Sequence, residues 1–456
     1  MNDPVIKRFA LIIATLASFL TPFMVSSINI ALPAIGQEFQ MNAVLMGWVP
    51  TSYILAAAVF LVPFGRLADI HGRKRVFAWG MWIFTASSLL CAFSSSSAVL
   101  ITLRAIQGFG SAMIFGTGMA ILTSVYPAAE RGRVLGINVA AVYLGLSLGP
   151  VLGGFLTHQF GWRSIFLVNV PIGLFVIYFV AAKLKMEWAE ARGEQFDVVG
   201  SLIYGITLVM AMYGLSRLPA QSGVLLVAAA LIGTVLFVVW EMRTNSPLLN
   251  MDLFFHNAAF AFSNLAALIN YSATFALTFL MSLYLQYIKG FTPQHAGLVM
   301  IAQPVVMALF SPLAGRLSDK IEPRIVASLG MGFTAVGLFL FTFLDQDTHL
   351  GLIVAGLLVL GFGFALFSSP NTNAVMSSIE KRFYGVGSAT LGTMRLTGQM
   401  LSMGIAMLIF SILIGNERIT PEYYPLFLKS VRTAFLIFSA LCCAGIFASL
   451  ARGKVR

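Results

Sequence analysis

Charge is scarce in this chain, and where it falls deep inside apolar sequence it is guanidinium. Arg104 and Arg395 lie within long apolar runs, neither with an obvious carboxylate on its own helix. A charge in hydrocarbon is costly, and it marks a substrate, counter-ion or proton pathway by default. A second chemistry is written in a duplicated signature. Gly65-Arg66-Leu67-Ala68-Asp69-Ile70-His71-Gly72-Arg73-Lys74-Arg75 is echoed by Gly315-Arg316-Leu317-Ser318-Asp319, 250 positions later. Acids and bases at the ends of apolar helices make charge-assisted clasps and meet helix termini. That chemistry gates the movement of helices and makes no bonds. A charged loop repeated between apolar helices implies two related bundles, the architecture of a secondary transporter.

The elements that must carry these residues are membrane spans. Of 456 residues, 59% are hydrophobic and 10% charged, and the mean hydropathy is +0.89, whereas a soluble domain carries about 25% charge. Runs of about 20 apolar residues, enough to cross the hydrocarbon core, fall at roughly 10–32, 46–65, 76–95, 98–124, 134–157, 164–182, 199–216, 223–241, 257–287, 294–315, 325–344, 350–370, 384–415 and 431–451. The chain therefore reads as an all-α polytopic membrane protein with about fourteen spans. The first run lacks a cleavage site and reads as a retained helix. With both termini on one side, twenty Lys and Arg fall on that side and six on the other, which predicts cytoplasmic termini in the cell membrane. The formal charge of +11 is thus a topology signal spread between spans, not the single basic surface of a nucleic-acid binder.

The signatures follow spans 2 and 10, equivalent places if spans 1–6 and 9–14 are repeated halves. The expected organisation is a six-helix bundle over 1–184, a connector with two inserted helices over 185–250, and a second six-helix bundle over 251–456. The segment Lys183 to Asp197, with Glu187, Glu190, Arg192 and Glu194, reads as a polar surface helix or loop.

Other classes find little support. The five histidines lie near span ends or in loops without H-E-x-x-H or a paired-acid motif, so neither an enzyme nor a metal site is expected. No P-loop and no filter-like repeat occurs, and no cofactor is implied. Cys91, Cys442 and Cys443 lie in apolar runs and read as packing residues. Polar groups expected to line a central cavity, beside Arg104 and Arg395, are Ser26, Ser27, Asn29, Gln107, Asn270, Tyr271, Gln303 and Gln399. In span 5, Gly145, Gly149 and Gly153 recur every four residues and line one helix face, where another backbone can approach closely. Pro150 permits a bend in the same turn.

Taken together, the motifs resemble the major facilitator superfamily, and within it the fourteen-helix drug:proton antiporter branch. The match covers the first loop at Gly65, Leu67, Asp69, Gly72, Arg73, Lys74 and Arg75, and Arg104-Ala105-Ile106-Gln107-Gly108-Phe109-Gly110 in span 4. It continues through Gly145-Leu146-Ser147-Leu148-Gly149-Pro150-Val151-Leu152-Gly153-Gly154 in span 5, the run Trp162 to Gly173, and Phe196-Asp197-Val198-Val199-Gly200.

The resemblance implies a carrier of small molecules that rocks two bundles about a central site, with protons as the coupling ion and a monomer as the working unit. It implies that Asp69 meets the start of span 13 near Tyr384-Gly385-Val386, that Arg104 takes part in proton coupling, and that Arg316 and Asp319 repeat the first loop's role. Arg73 is expected to pair with Glu130, placed at the end of span 4, and the span 5 glycine face is expected to be where the halves slide. One departure stands out. The branch usually carries an Asp shortly before N-x-A-L-P in span 1, and here Met24 precedes Asn29-Ile30-Ala31-Leu32-Pro33. No Asp or Glu lies well inside a span, so the cavity should favour anionic or neutral amphipathic substrates over cations. The alternatives are a facilitator or exporter of an anionic or neutral metabolite, or a nontransporting sensor on the same fold.

Overall fold

The computed structural model describes residues 4–244, 246–380 and 383–453. Lys381, Arg382, Lys454 and Arg456, counted above among the cations of the terminal side, lie outside the described residues. Among those described, fourteen helical segments are long and apolar enough to cross a membrane, as the sequence predicts. The first six are α1 (Pro4–Glu38), α2 (Ala43–His71), α3 (Arg73–Ala92), α4 (Ser97–Val125), α5 (Ala128–Phe160) and α6 (Arg163–Lys183). The inserted pair is α7 (Val198–Arg217) and α8 (Gln221–Glu241).

The short α9 (Met251–His256) precedes crossing nine, which comprises α10 (Ala258–Thr274), α11 (Ala276–Leu283) and a π turn over Tyr284–Ile288. Crossing ten is split into α12 (Pro293–Met300) and α13 (Ala302–Ser318). Then come α14 (Pro323–Leu340), α15 (Leu350–Ser377), α16 (Tyr384–Leu413) and α17 (Tyr424–Ala451).

Local sequence sets these boundaries. Asn42, Ser96, Asn257 and Thr292 cap their helices through side-chain oxygens, satisfying amide groups that a helix start leaves open. Pro293 adds a fixed φ at the first turn of α12. Gly72 separates α2 from α3 at φ 122°, a conformation that favours glycine.

Helices α1–α6 pack among themselves, chiefly α1 on α5, α2 on α4 and α3 on α4. Helices α10 and α13–α17 form a second group, with α14 on α15, α13 on α15, and α10 on α16 and α17. The groups meet along α2 and α16, along α5 and α12, and between α1 and α11.

The α7–α8 hairpin lies over one of these seams. The Tyr204 hydroxyl donates to the Ala58 carbonyl of α2 at 3.1 Å, and the Ser411 hydroxyl of α16 donates to the Leu218 carbonyl at 2.8 Å. One face of the hairpin is bonded to both groups.

Candidate functional site

The two deep arginines stand in different surroundings. Arg104 on α4 has no accessible surface. Its Nε donates to the Val49 carbonyl at 3.3 Å, its Nη1 to Gln107 Oε1, and its guanidinium lies 4.4 Å from the Tyr53 ring centroid. Gln107 Nε2 passes the chain on to Ser88 Oγ at 2.7 Å. Gly108 lets this happen, because a Cβ there would collide with the Tyr53 carbonyl of α2. Arg104 and Gln107 therefore belong to a sealed network between α2, α3 and α4. They do not line a cavity.

Arg395 sits near the middle of α16 and is half-buried, with its guanidinium 5.1 Å from the Tyr271 ring centroid. Its Nε is buried without a partner. Beside Tyr271, Asn270 is fully buried, and neither its amide nitrogen nor its oxygen is hydrogen-bonded. A buried amide with both ends unspent costs stability, and it stands five residues before Phe275, the junction of α10 and α11.

The junction is braced by α16, where the Ser402 hydroxyl accepts from Ala276 N at 2.9 Å. The backbone keeps helical φ and ψ at Phe275, and what changes there is that Ala276 N leaves the helix ladder for the side chain of α16. Gln399, one turn from Arg395, is half-buried. Tyr271 and Arg395 thus meet where α10 packs on α16, with Asn270 next to Tyr271 in sequence and Gln399 one turn from Arg395. Asn29 is buried at the far end, its Oδ1 unpartnered and its carbonyl accepting from Ser282 Oγ of α11 at 2.6 Å. Gln303 is half-buried on α13, where its carbonyl packs against Gly361 of α15.

The first charged loop is engaged by the connector. Arg73 forks onto Glu190 through Nη1 and Nη2 at 2.8 and 2.9 Å, and its Nε donates to Asp69 Oδ1 at 2.8 Å. Arg66 pairs with Glu194, and Glu187 accepts from Lys74 N at 2.8 Å with Arg75 at 3.7 Å. Two backbone bonds, Arg73 N to the Trp188 carbonyl and Ala191 N to the Asp69 carbonyl, fix the register. Glu187 fills the space over Gly72, so any side chain there would strike it.

This corrects the expected Arg73–Glu130 clasp. Glu130 lies in the first turn of α5, where Lys7 of α1 holds it at 2.9 Å. The nearer, bidentate Glu190 takes Arg73 instead. Nor does Asp69 meet the start of α16 in this state, because its carboxylate is taken by Arg73. In the echoed loop, Gly315 packs on Ser369, Asp319 caps α13 and accepts from Asn373 Nδ2 at 3.4 Å, and Arg316 lies in the last turn of α13.

The α5 glycines also need a correction. Gly145, Gly149 and Gly153 close against Phe19, Ser26 and Ser27 of α1, inside the same group. Contact with the other group comes from an adjacent face, where Gly154 abuts the Pro293 carbonyl and Gly297 of α12 abuts the Pro150 carbonyl. These contacts, with Gln286 Nε2 on the Ile30 carbonyl at 3.0 Å, gather at the end opposite the termini. At the terminal end, Gly65, Gly132, Gly136 and Gly385 face open space. The end opposite the termini is bridged between the groups, whereas these four terminal-end positions leave room beside the backbone.

One buried cation escaped the sequence reading. Arg452, just past α17, is buried and bonded to Ser263, Asn371 and Ser449. Burial, with Arg324 nearby, pushes its guanidinium down to about 10, so it stays charged at neutral pH. Its place at the end of the chain had marked it as a tail residue.

Fourteen crossings in two packed groups define a membrane carrier fold, and comparison with known proteins agrees. The Major Facilitator Superfamily model matches residues 14–263 and 263–454, and the chain belongs to that family. The riboflavin transporter RibZ of Clostridioides difficile is 30% identical, across 95% of this chain and 93% of its own. The multidrug resistance protein Stp of Mycobacterium tuberculosis is 31% identical, across 83% and 71%. The cephamycin export protein CmcT of Amycolatopsis lactamdurans is 32% identical, across 88% and 84%. Among solved structures, a bacterial homologue of the human lysosomal transporter Spinster, inward-facing and unoccupied, aligns with a TM-score of 0.69 at 17% identity, covering 99% of this chain and 98% of its own.

Proposed function

We propose that this chain is a secondary active transporter of the cell membrane, a proton-coupled exporter of drugs or amphipathic small molecules working by alternating access. Its residues 1–184 and 251–456 form the two moving halves, and 185–250 joins them. The termini are cytoplasmic, so the end bridged between the groups is the outer one. The observation that carries the reading is the α10–α16 contact. A half-buried guanidinium and a doubly unpartnered amide at mid-membrane are hydrogen-bonding capacity kept for a ligand. Relatives named for drug resistance and export support the efflux sense.

A second reading, an exporter or facilitator of an anionic or neutral metabolite, is favoured by the charge of the site. No Asp or Glu lies mid-span among the described residues, and a relative named as a riboflavin transporter matches nearly end to end. Flux in proteoliposomes, with anionic, neutral and cationic amphiphiles and an imposed pH gradient, separates the two. Flux indifferent to the gradient removes proton coupling, and no flux of any class leaves a nontransporting sensor.

A further inference from the structure

The inserted helices carry a pair of acids that the transport site does not use. Asp197 caps α7 through Gly200 N at 2.8 Å and receives Trp240 Nε1 at 3.1 and 3.0 Å on its two oxygens. Glu241, the last residue of α8, is 3% exposed. Its Oε2 accepts from Leu249 N at 2.9 Å, tying down the linker that leads to α9, while its Oε1 is buried with no partner. Gly200 keeps the two acids together, since a Cβ there would strike both Asp197 Oδ2 and Glu241 Oε1. Among the described residues no base pairs with either of them. Arg192 and Glu194 of the connector and Arg243 of the linker are exposed, Arg66 is held by Glu194, and Asp252 and His256 of α9 are exposed and face each other.

Two carboxylates crowded in a buried place without a cation cannot both ionise. The geometry points to a proton-binding site, in which Glu241 Oε1 carries a proton and donates it to Asp197 while Oε2 keeps the linker. This protonation site lies at the root of the hairpin that is bonded to both halves. Release of the proton sets two negative charges against each other at the hairpin's root, so the pH on that side of the membrane tunes how firmly the hairpin is held together beside the second half. The site stands whether or not transport is proton-coupled.

Glu241→Gln tests it, because an amide accepts from Leu249 N and donates to Asp197 as the protonated acid would. The folded protein holds a proton that the unfolded chain has lost at neutral pH, so wild-type stability falls as pH rises towards release. The purified full chain should lose several degrees of thermal midpoint between pH 5 and pH 7, about a tenfold change in the folded-to-unfolded ratio for each pH unit between the ordinary glutamate range and release, and level off above release, and E241Q should stay flat across the same range. An E241Q curve that parallels wild type overturns the site. Infrared difference spectra give an independent reading. A carboxylic C=O band should bleach in wild type as pH rises and be missing in E241Q, and Asp197→Asn, which removes the neighbouring negative charge, should make the band bleach at lower pH. If E241Q does not fold, a D197N band that bleaches as in wild type, or no band in wild type, overturns it.

Discussion

Arg104 and Arg395 look alike in the sequence and part company in their neighbours. Arg104 gives Nε to Val49 and Nη1 to Gln107 in a fully buried network that leaves only Nη2 without a partner, so Arg104→Ala should act on folding. It strands buried acceptors, at on the order of 1–3 kcal/mol each, and should lower the thermal midpoint and membrane yield. Arg395 holds only a ring face and an unpartnered Nε. Arg395→Ala should therefore leave the midpoint nearly unmoved and reduce flux at least tenfold, with Arg395→Lys restoring part of it because a charge survives without the planar fork. Proteoliposome flux beside thermal unfolding reads both. What separates the two arginines is which helix each faces, and neither apolar length nor local spacing carries that information.

At the scale of elements, α5 has two working faces. Gly149→Leu drives a side chain into Ser26 and Ser27 of its own half, so both folding and flux should fall. Gly154→Leu meets Pro293 across the seam. It should spare folding, hold the bridged end apart, and reduce flux, as cysteine accessibility near Gln294 would register. The connector is the element least legible in advance. Between Lys183 and Asp197 no periodicity exists, only three glutamates, and their targets are arginines more than a hundred residues upstream. With Arg73 held bidentately, Glu190→Gln should weaken the grip on the first loop and raise the population closed at the terminal end. Distance measurements between labels near Gly65 and Gly385 would report the shift, and no change in the distance distribution would remove the connector from gating.

For the molecule as a whole, all fourteen crossings could be read because each needs only enough apolar length, and the chain interrupts that length with polar loops. The local departure at Ala276 could not be read, since its partner Ser402 lies in distant sequence. The polar groups were legible as types and not as contacts. Tyr271 and Arg395 were expected as polar residues in apolar runs and meet in the fold, whereas Gln107 is fully buried in the network around Arg104. Reconstituted protein should carry out flux that grows with an imposed pH gradient and collapses with an uncoupler.

The α7–α8 hairpin also decides by which route a ligand dissolved in the bilayer can arrive. With Tyr204 pinned to Ala58 and Ser411 to Leu218, the fissure beside α2 and α16 is roofed against lipid. A greasy solute leaving the inner leaflet is steered to the opposite flank, where α5 borders α12 and α13 with no such cover.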